Sequence, residues 1–167
     1  MRGALFLLMS LVALSLGGSL YELLIKEQIK NIPLEKAIVV GEGDRKLITV
    51  INPDCPHCRA EWKKLRAHLE KLRIYVFLFP FHSWGEENVL KSHYIACSED
   101  KLKALDDVLL GKLDGKVPKV DKCPLVEEHL KVVRKLGVDS VPYNIIPDKN
   151  KIIEGFSANL LKELGVE

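Results

Sequence analysis

Two cysteines separated by two residues, Cys55 and Cys58, stand where an apolar run meets a helical pattern. The run, residues 47–51, has the composition of a buried strand, and residues 59–72 repeat apolar side chains at helical spacing. A cysteine at a helix N-terminus ionises readily, because the free backbone N–H groups and the helix dipole favour a negative charge. The position therefore predicts reversible disulfide chemistry.

The residues around the two cysteines adjust that prediction. Pro56 suits the first turn of a helix, because its missing N–H would have no partner there. His57, when protonated, stabilises a thiolate at Cys55, whereas the carboxylate of Asp54 opposes it. Asp54 is also a candidate N-cap of the helix. We expect an easily ionised Cys55, with His57 as the cation that the motif supplies.

Half of a zinc site and a purely structural bridge are the other uses of this cysteine spacing. A zinc site usually has a second close pair of Cys or His residues, but Cys97 and Cys123 are far apart in the sequence. Haem attachment requires a histidine directly after the second cysteine, and the chain has Arg59 there. We expect no metal and no other cofactor. Three histidines on predicted helices are expected to be surface or satisfied half-buried residues rather than ligands: His68, His93 and His129.

Length and composition place the chain among soluble globular proteins. Its 167 residues suffice for one domain with a hydrophobic core. Hydrophobic residues make up 47% and charged residues 29%, which is ordinary for such a domain once the N-terminus is set aside. The net charge is only +2, and the aromatic residues do not alternate with basic ones. Nucleic acid is therefore not an expected partner.

Residues 1–19 have the pattern of an export signal. Arg2 supplies the positive start, residues 4–16 are apolar or small, and Ser15 and Gly17 offer the small side chains at a cleavage site. An uncleaved anchor is the alternative, although the apolar stretch is short for a membrane span. Export predicts a periplasmic protein. In an oxidising compartment the four cysteines are expected to pair or to catalyse pairing.

Residues 20–36 are predicted to form a short helical linker. Five apolar residues recur there at helical spacing: Tyr21, Leu24, Ile25, Ile29 and Ile32. This helix either packs on the domain or serves as an arm for self-association. We favour packing, and therefore a monomer.

The remaining pattern predicts one α/β domain over residues 37–167. Apolar runs predict strands at residues 37–40, 47–51 and 74–79, and a hairpin at 143–146 and 151–154, with a helix from Ser157. Helical patterns cover residues 86–111 and 124–136, so a helical insertion occupies about residues 86–136. Before it lies a loop whose His82 and Trp84 are weaker candidates to face the active site.

This order of elements resembles a thioredoxin-like fold with an inserted helical subdomain. More closely, the chain resembles the catalytic domain of the exported disulfide isomerases of the DsbC/DsbG family, from about residue 38 to residue 165. The similarity is carried by residues 47–50, the Cys-Pro-His-Cys motif at 55–58, residues 96–101, residues 103–108 with Gly111 and Lys112, Cys123, and residues 136–138 before the proline.

The resemblance implies a role for several residues of this chain. Cys55 is the implied nucleophile and Cys58 the implied resolving thiol. Cys97 and Cys123 are implied to form a structural disulfide. The resemblance further implies a cis peptide bond before Pro142 that packs against the redox pair. The backbone at Val141 is expected to pair with an extended substrate chain.

Three features depart from the isomerase pattern. The Pro56-His57 dipeptide and Val141 before the proline are similar to the oxidase DsbA, and only a short helix stands where isomerases have a dimerisation domain. We therefore expect a dithiol oxidase that acts on exported proteins with thiols or disulfides and is reset by a membrane redox partner. The alternatives are an isomerase or reductase kept reduced by such a partner, and a non-catalytic thioredoxin-like binding module.

Overall fold

The computed structural model describes residues 17–167, which fall into two compact units separated after Ile32. In the first unit, residues 17–30 form helix α1, in place of the helix predicted from residue 20. Four large apolar side chains of α1 are exposed: Leu20, Tyr21, Leu23 and Leu24. Among residues 17–167, no helix has the length and apolar character needed to cross a bilayer. The predicted export signal lies almost wholly outside the described residues.

The second unit is built on a five-stranded mixed sheet. Its strands, in spatial order β1-β3-β2-β4-β5, are β1 (Ile38–Val40), β2 (Arg45–Ile51), β3 (Leu72–Leu78), β4 (Tyr143–Ile146) and β5 (Lys151–Glu154). Only β2 and β3 run parallel, and the other neighbouring pairs are antiparallel. The apolar residues of β2 and β3 are buried on both faces of the sheet, as their unbroken apolar runs predict.

Five helices complete this unit. Helix α2 (Pro56–Arg66) connects the parallel strands. Three helices separate β3 from β4 in the sequence, namely α3 (Glu86–Cys97), α4 (Lys101–Leu109) and α5 (Pro124–Leu136), and α6 (Leu160–Leu164) follows β5. Residues of α2, α4 and α5 pack into one core with the sheet, among them Trp62, Leu105 and Val126. The fold is thioredoxin-like, which confirms the predicted class.

Helix α2 ends at Arg66, earlier than the helical pattern predicts. The backbone of the following residues bonds instead to the glycine turn between β1 and β2, where the Glu42 N–H donates to the Leu69 carbonyl at 3.1 Å. This approach is so close that a Cβ on Gly43 would lie 1.8 Å from the carbonyl carbon of Lys71. The residues that follow the helix thus bond to a segment that is distant in the sequence.

The helical pattern predicted over residues 86–111 is two helices rather than one. Ser98 is extended, with ψ 141°, and closes α3. Asp100 then caps α4, because its carboxylate accepts a hydrogen bond from the backbone N–H of Lys103 at 2.9 Å. The break turns the chain at the end of α3, next to Cys97.

His129 on α5 is fully buried, more deeply than the sequence predicts, and both of its ring nitrogens have partners. Nδ1 accepts a hydrogen bond from the backbone N–H of Leu78 at 3.0 Å, and Nε2 lies 2.6 Å from the carbonyl oxygen of Lys36. Because an N–H faces Nδ1 and a carbonyl faces Nε2, the ring is neutral with its proton on Nε2. Burial lowers the pKa of His129, which agrees with a neutral ring. The residue connects α5 to β3.

Candidate active site

Cys55 is the N-cap of α2. Its backbone is extended, with φ −65° and ψ 120°, and its sulfur accepts a hydrogen bond from the backbone N–H of Cys58 at 3.5 Å. Pro56 occupies the first turn, as predicted, and that turn contains no acidic residue. The prediction that Asp54 caps the helix is wrong, because the thiol itself takes that position. The free N–H groups of the helix end therefore point at sulfur.

The surroundings of Cys55 lower its pKa from 9.0 to about 6. The largest cause is the thiol of Cys58, which donates a hydrogen bond to the Cys55 sulfur; partial burial opposes it. The backbone N–H groups of Cys58 and His57 add to the lowering, and the charge of His57 makes the smallest of these contributions. His57 thus acts in the predicted direction, but the neighbouring thiol and the helix backbone outweigh it.

Cys58 has the opposite character. Its hydrogen bond to Cys55 and its burial both raise the pKa of the thiol far above the ordinary value. The side chain is 1% exposed, against 5% for Cys55. Both cysteines are buried, but Cys55 is the more accessible of the two. The pair is therefore polarised, with one sulfur that readily carries a charge and one that holds its proton.

The loop before β4 lies directly beside this pair. The Val141–Pro142 peptide bond is cis. The thiol of Cys55 is 3.8 Å from the carbonyl oxygen of Val141, within hydrogen-bonding range for sulfur. Both parts of the prediction for this loop, the cis bond and its packing on the redox pair, are confirmed.

Beneath the cysteines is a buried carboxyl group that the sequence analysis missed. Glu61 lies on α2, three residues after Cys58, and both of its carboxylate oxygens are 2.9 Å from the side-chain nitrogen of Asn144. Desolvation raises the pKa of Glu61 to about 7, although the hydrogen bond from Asn144 lowers it. The signal was available, because Glu61 falls on the same helical face as the predicted core residues Trp62 and Leu65.

Glu61 and Cys58 line the same internal cavity. The cavity measures about 10 Å³ and is also bordered by Thr49, Trp62 and Leu65. That volume is close to the smallest that holds one water molecule. The hydroxyl oxygen of Thr49 has no hydrogen-bond partner among the described residues. The rest of the lining is apolar, so the cavity places the buried thiol beside the buried carboxyl group in mostly apolar surroundings.

Asp54 is turned away from the helix end that it was predicted to cap. Its carboxylate is 2.6 Å from Nζ of Lys91 and 3.0 Å from the guanidinium of Arg59. Its second oxygen accepts a hydrogen bond from the side chain of Asn88 at 2.7 Å. The charge next to Cys55 is therefore paired, which the sequence alone did not indicate.

Other predicted residues lie at the surface. His57 is exposed, and its ring stacks 6.1 Å from that of Phe156, over which Lys64 places its ammonium group at 4.9 Å. His82 and Trp84 lie in an exposed 3-10 turn, where Trp84 packs edge-on against Phe81. Phe156 was not predicted, because a lone aromatic residue after a strand carries no pattern.

Cys97 and Cys123 lie together at the end of α3 and the start of α5. Both are free thiols in this structure, and burial, followed by the neighbouring Cys123 thiol, raises the pKa of Cys97 to about 11. The Cys97 thiol donates a hydrogen bond to the backbone carbonyl of Asp121 at 3.3 Å. The backbone N–H of Cys123 donates to Nδ1 of His93 at 2.9 Å. The disulfide between Cys97 and Cys123 stays a prediction. Within residues 17–167, no cluster of side chains has the arrangement of a metal site.

Comparison with known proteins gives a family match over most of the chain. A family described as a thioredoxin-like domain matches residues 32–157. No curated protein sequence matches the chain.

Several solved structures share the fold. A disulfide interchange protein from Neisseria gonorrhoeae is similar with a TM-score of 0.66 and 22% identity, over 79% of this chain and 95% of that one. The thiol-disulfide exchange protein alpha-DsbA2 from Wolbachia pipientis gives 0.63 and 17%, over 87% and 96%. DsbG from Helicobacter pylori gives 0.59 and 22%, over 84% and 68%.

Proposed function

The chain belongs to the thioredoxin-like domain family, and from that premise we propose that it is a thiol-disulfide oxidoreductase that oxidises the dithiols of exported proteins. The observation that carries the proposal is the polarised cysteine pair. A low pKa at Cys55 and a raised one at Cys58 fit a pair in which Cys55 exchanges with substrate and Cys58 resolves. The solved structures named for disulfide interchange and thiol-disulfide exchange support the same chemistry.

The reaction begins with the oxidised form, in which Cys55 and Cys58 are joined. A substrate thiolate attacks the sulfur of Cys55, the bond between the two cysteines breaks, and Cys58 leaves with the electron pair. Because Cys58 strongly favours its protonated form, it takes a proton as it leaves. Glu61, with a pKa of about 7, is the proton donor that the shared cavity offers.

The second step releases the product. Another thiolate of the same substrate attacks the substrate sulfur of the mixed disulfide, and Cys55 leaves as a thiolate. The substrate loses two electrons and gains a disulfide, while the protein gains both electrons as a dithiol. A low pKa makes Cys55 a good leaving group and stabilises the reduced protein, which is the property of a strong oxidant. A membrane redox partner that accepts the two electrons would restore the disulfide.

The Val141 carbonyl supplies a place for the substrate chain. It lies 3.8 Å from the Cys55 sulfur, so a backbone N–H of an extended peptide beside the mixed disulfide can donate to it. Backbone pairing of this kind accepts many sequences. It fits an enzyme that acts on exported proteins in general.

We also propose that the protein is exported to the periplasm. The support is the basic start, the short apolar stretch and the small residues Ser15 and Gly17. Cleavage near Gly18 would then give the mature chain. The intact mass after expression in an exporting bacterium tests this proposal, since a full-length chain retained in the membrane contradicts it.

The test of the oxidase is the reduction potential of the Cys55–Cys58 pair, measured by equilibration with glutathione. We expect a value nearer to about −120 mV, as for a strong oxidant, than to about −270 mV, as for thioredoxin. A value near the second would assign the chain to the alternative direction, an isomerase or reductase kept reduced by a partner.

Trapping of substrate tests whether the pair is catalytic at all. Cys58→Ser removes the resolving thiol, so mixed disulfides with exported proteins should accumulate on Cys55. The matched variant Cys55→Ser should trap none. If both variants trap equally little, the non-catalytic binding module becomes the better interpretation.

A further inference from the structure

Five charged side chains form a cluster beside Cys55, which we call the Lys91 cluster: Asp54, Arg59, Glu87, Lys91 and Asp114. Nζ of Lys91 lies 2.6 Å from Asp54, 2.6 Å from Asp114 and 2.9 Å from Glu87. Arg59 bonds to Asp114 at 2.7 Å as well as to Asp54. The Lys91 side chain is only 2% exposed, so its charge is held away from water among three carboxylates.

The cluster joins the active-site loop to the helical insertion. Asp54 directly precedes Cys55, Arg59 is on α2, Glu87 and Lys91 are on α3, and Asp114 follows α4. Beside the cluster, the side chains of Asn52 and Asn88 exchange hydrogen bonds of 3.0 and 2.9 Å, and both are fully buried. The insertion thus provides partners for a residue adjacent to the nucleophile.

The charge count shows what Lys91 does. Three carboxylates and two cations leave the cluster with one net negative charge. Without Lys91 the net negative charge of the cluster would double. The carboxylate of Asp54, which directly precedes Cys55, would then keep only Arg59 of its two cationic partners. A nearby negative charge disfavours a thiolate. A buried lysine is also a poor source of stability in itself, since its desolvation offsets much of its attraction to the carboxylates.

We propose that Lys91 is a positioning residue for the thiol chemistry: it neutralises Asp54 and so shields the Cys55 thiolate from the carboxylate that precedes it. The inference rests on the proposed function and assigns to the helical insertion a direct part in tuning the redox pair. The carboxylate of Asp54 holds the active-site loop through its hydrogen bonds and ion pairs. Lys91 offsets the negative charge of that carboxylate, which would otherwise disfavour the Cys55 thiolate.

The experiment compares Lys91→Gln, Asp54→Asn and the double variant, with the ionisation of Cys55 measured by thiolate absorbance against pH in the reduced protein. Gln keeps a hydrogen-bond donor near Asp54 and removes only the charge. We expect Lys91→Gln to lower the acid dissociation constant of Cys55 about tenfold, because the cluster beside the thiol gains one net negative charge. Asp54→Asn added to it should restore the dissociation constant to within about twofold of the wild-type value.

Two comparisons separate positioning from general damage to the fold. Lys103→Gln removes a lysine–carboxylate pair from the same insertion without touching Asp54, and it should leave the ionisation of Cys55 unchanged. Asp54→Asn alone should also leave it nearly unchanged, because the carboxylate is already neutralised. This single variant keeps the inference testable even if Lys91→Gln does not fold.

Three results would overturn the inference. The first is an acid dissociation constant of Cys55 that is unchanged in Lys91→Gln. The second is a changed constant that the added Asp54→Asn does not restore, and the third is a marked rise of the constant in Asp54→Asn alone. None depends on substrate turnover. The oxidase proposal fails separately, through the wild-type potential and the trapping experiment.

Discussion

Glu61 is a carboxyl group with a pKa of about 7 because desolvation favours its protonated form. Its pKa in the folded protein lies above the ordinary 4.5. The contribution of Glu61 to stability is therefore complete below pH 4.5 and is lost as the pH rises through about 7. We predict that Glu61→Gln does not lose stability in this way, because the amide does not ionise. Above pH 7 its free energy of unfolding should exceed that of the wild type by about 2 to 3 kcal/mol. Denaturant unfolding of the reduced proteins across this pH range measures the difference.

The same variant has a kinetic consequence. If Glu61 donates the proton that Cys58 takes, Glu61→Gln should slow the first exchange step about tenfold to a hundredfold at neutral pH. Stopped-flow mixing of oxidised protein with a dithiol peptide measures it. An equal rate in both proteins, together with parallel stability curves, would leave Glu61 as a buried group without a part in the reaction.

At the scale of single residues, the sequence predicted the side chains whose chemistry is local. Cys55, Pro56 and Cys58 were found because a strand, a motif and a helix follow one another in the chain. Lys91 was not, because a lysine on an amphipathic helix is normally solvated, and its burial depends on carboxylates from three separate segments. A sequence pattern does not show which residues from separate segments become partners in the fold.

Among the elements, Cys97 ends α3 and Cys123 directly precedes α5, and we predict that these two residues form a permanent disulfide. The thiol of Cys123 is close enough to raise the pKa of Cys97, and closing the loop between the two residues should stabilise the fold by roughly 3 kcal/mol in the chain-entropy model. Alkylation after mild reduction should label Cys55 and Cys58 only. Equal labelling of all four cysteines would contradict a structural role for the second pair.

The bounds of the elements were predictable where the stop signal is local. Strands β4 and β5 agree with the predicted 143–146 and 151–154, since Pro142 and the turn around Asn150 delimit them. The end of α2 was not predictable, because the residues that follow it bond to the turn at residues 41–43, which is distant in the sequence. The break between α3 and α4 had a signal in Asp100, a residue type that caps helices, but a continuous helical pattern concealed it.

For the whole molecule we predict a monomer in solution. Helix α1 exposes four large apolar residues, but one short helix buries less surface than the roughly 1,200 Å² of a stable interface. Light scattering of the mature form measures the mass. A dimer that Leu20→Ser and Leu24→Ser together abolish would instead identify α1 as the association element, and would favour an isomerase.

His129 completes the sheet where its edge strand ends. The register of β1 on β3 pairs Ile38 with Val76, so the same register continued by two residues would place Lys36 opposite Leu78. The imidazole ring stands between these two backbone groups, receiving the N–H of Leu78 and reaching the carbonyl of Lys36. The ring therefore takes the place of one backbone hydrogen-bonded pair between the two segments, and it comes from α5. A strand of three residues has little to prevent it from slipping along its neighbour, and a slip by one residue would turn its apolar side chains to the solvent. The ring fixes both backbones at one point, and so a side chain of the insertion determines the alignment of a strand far away from it in the sequence.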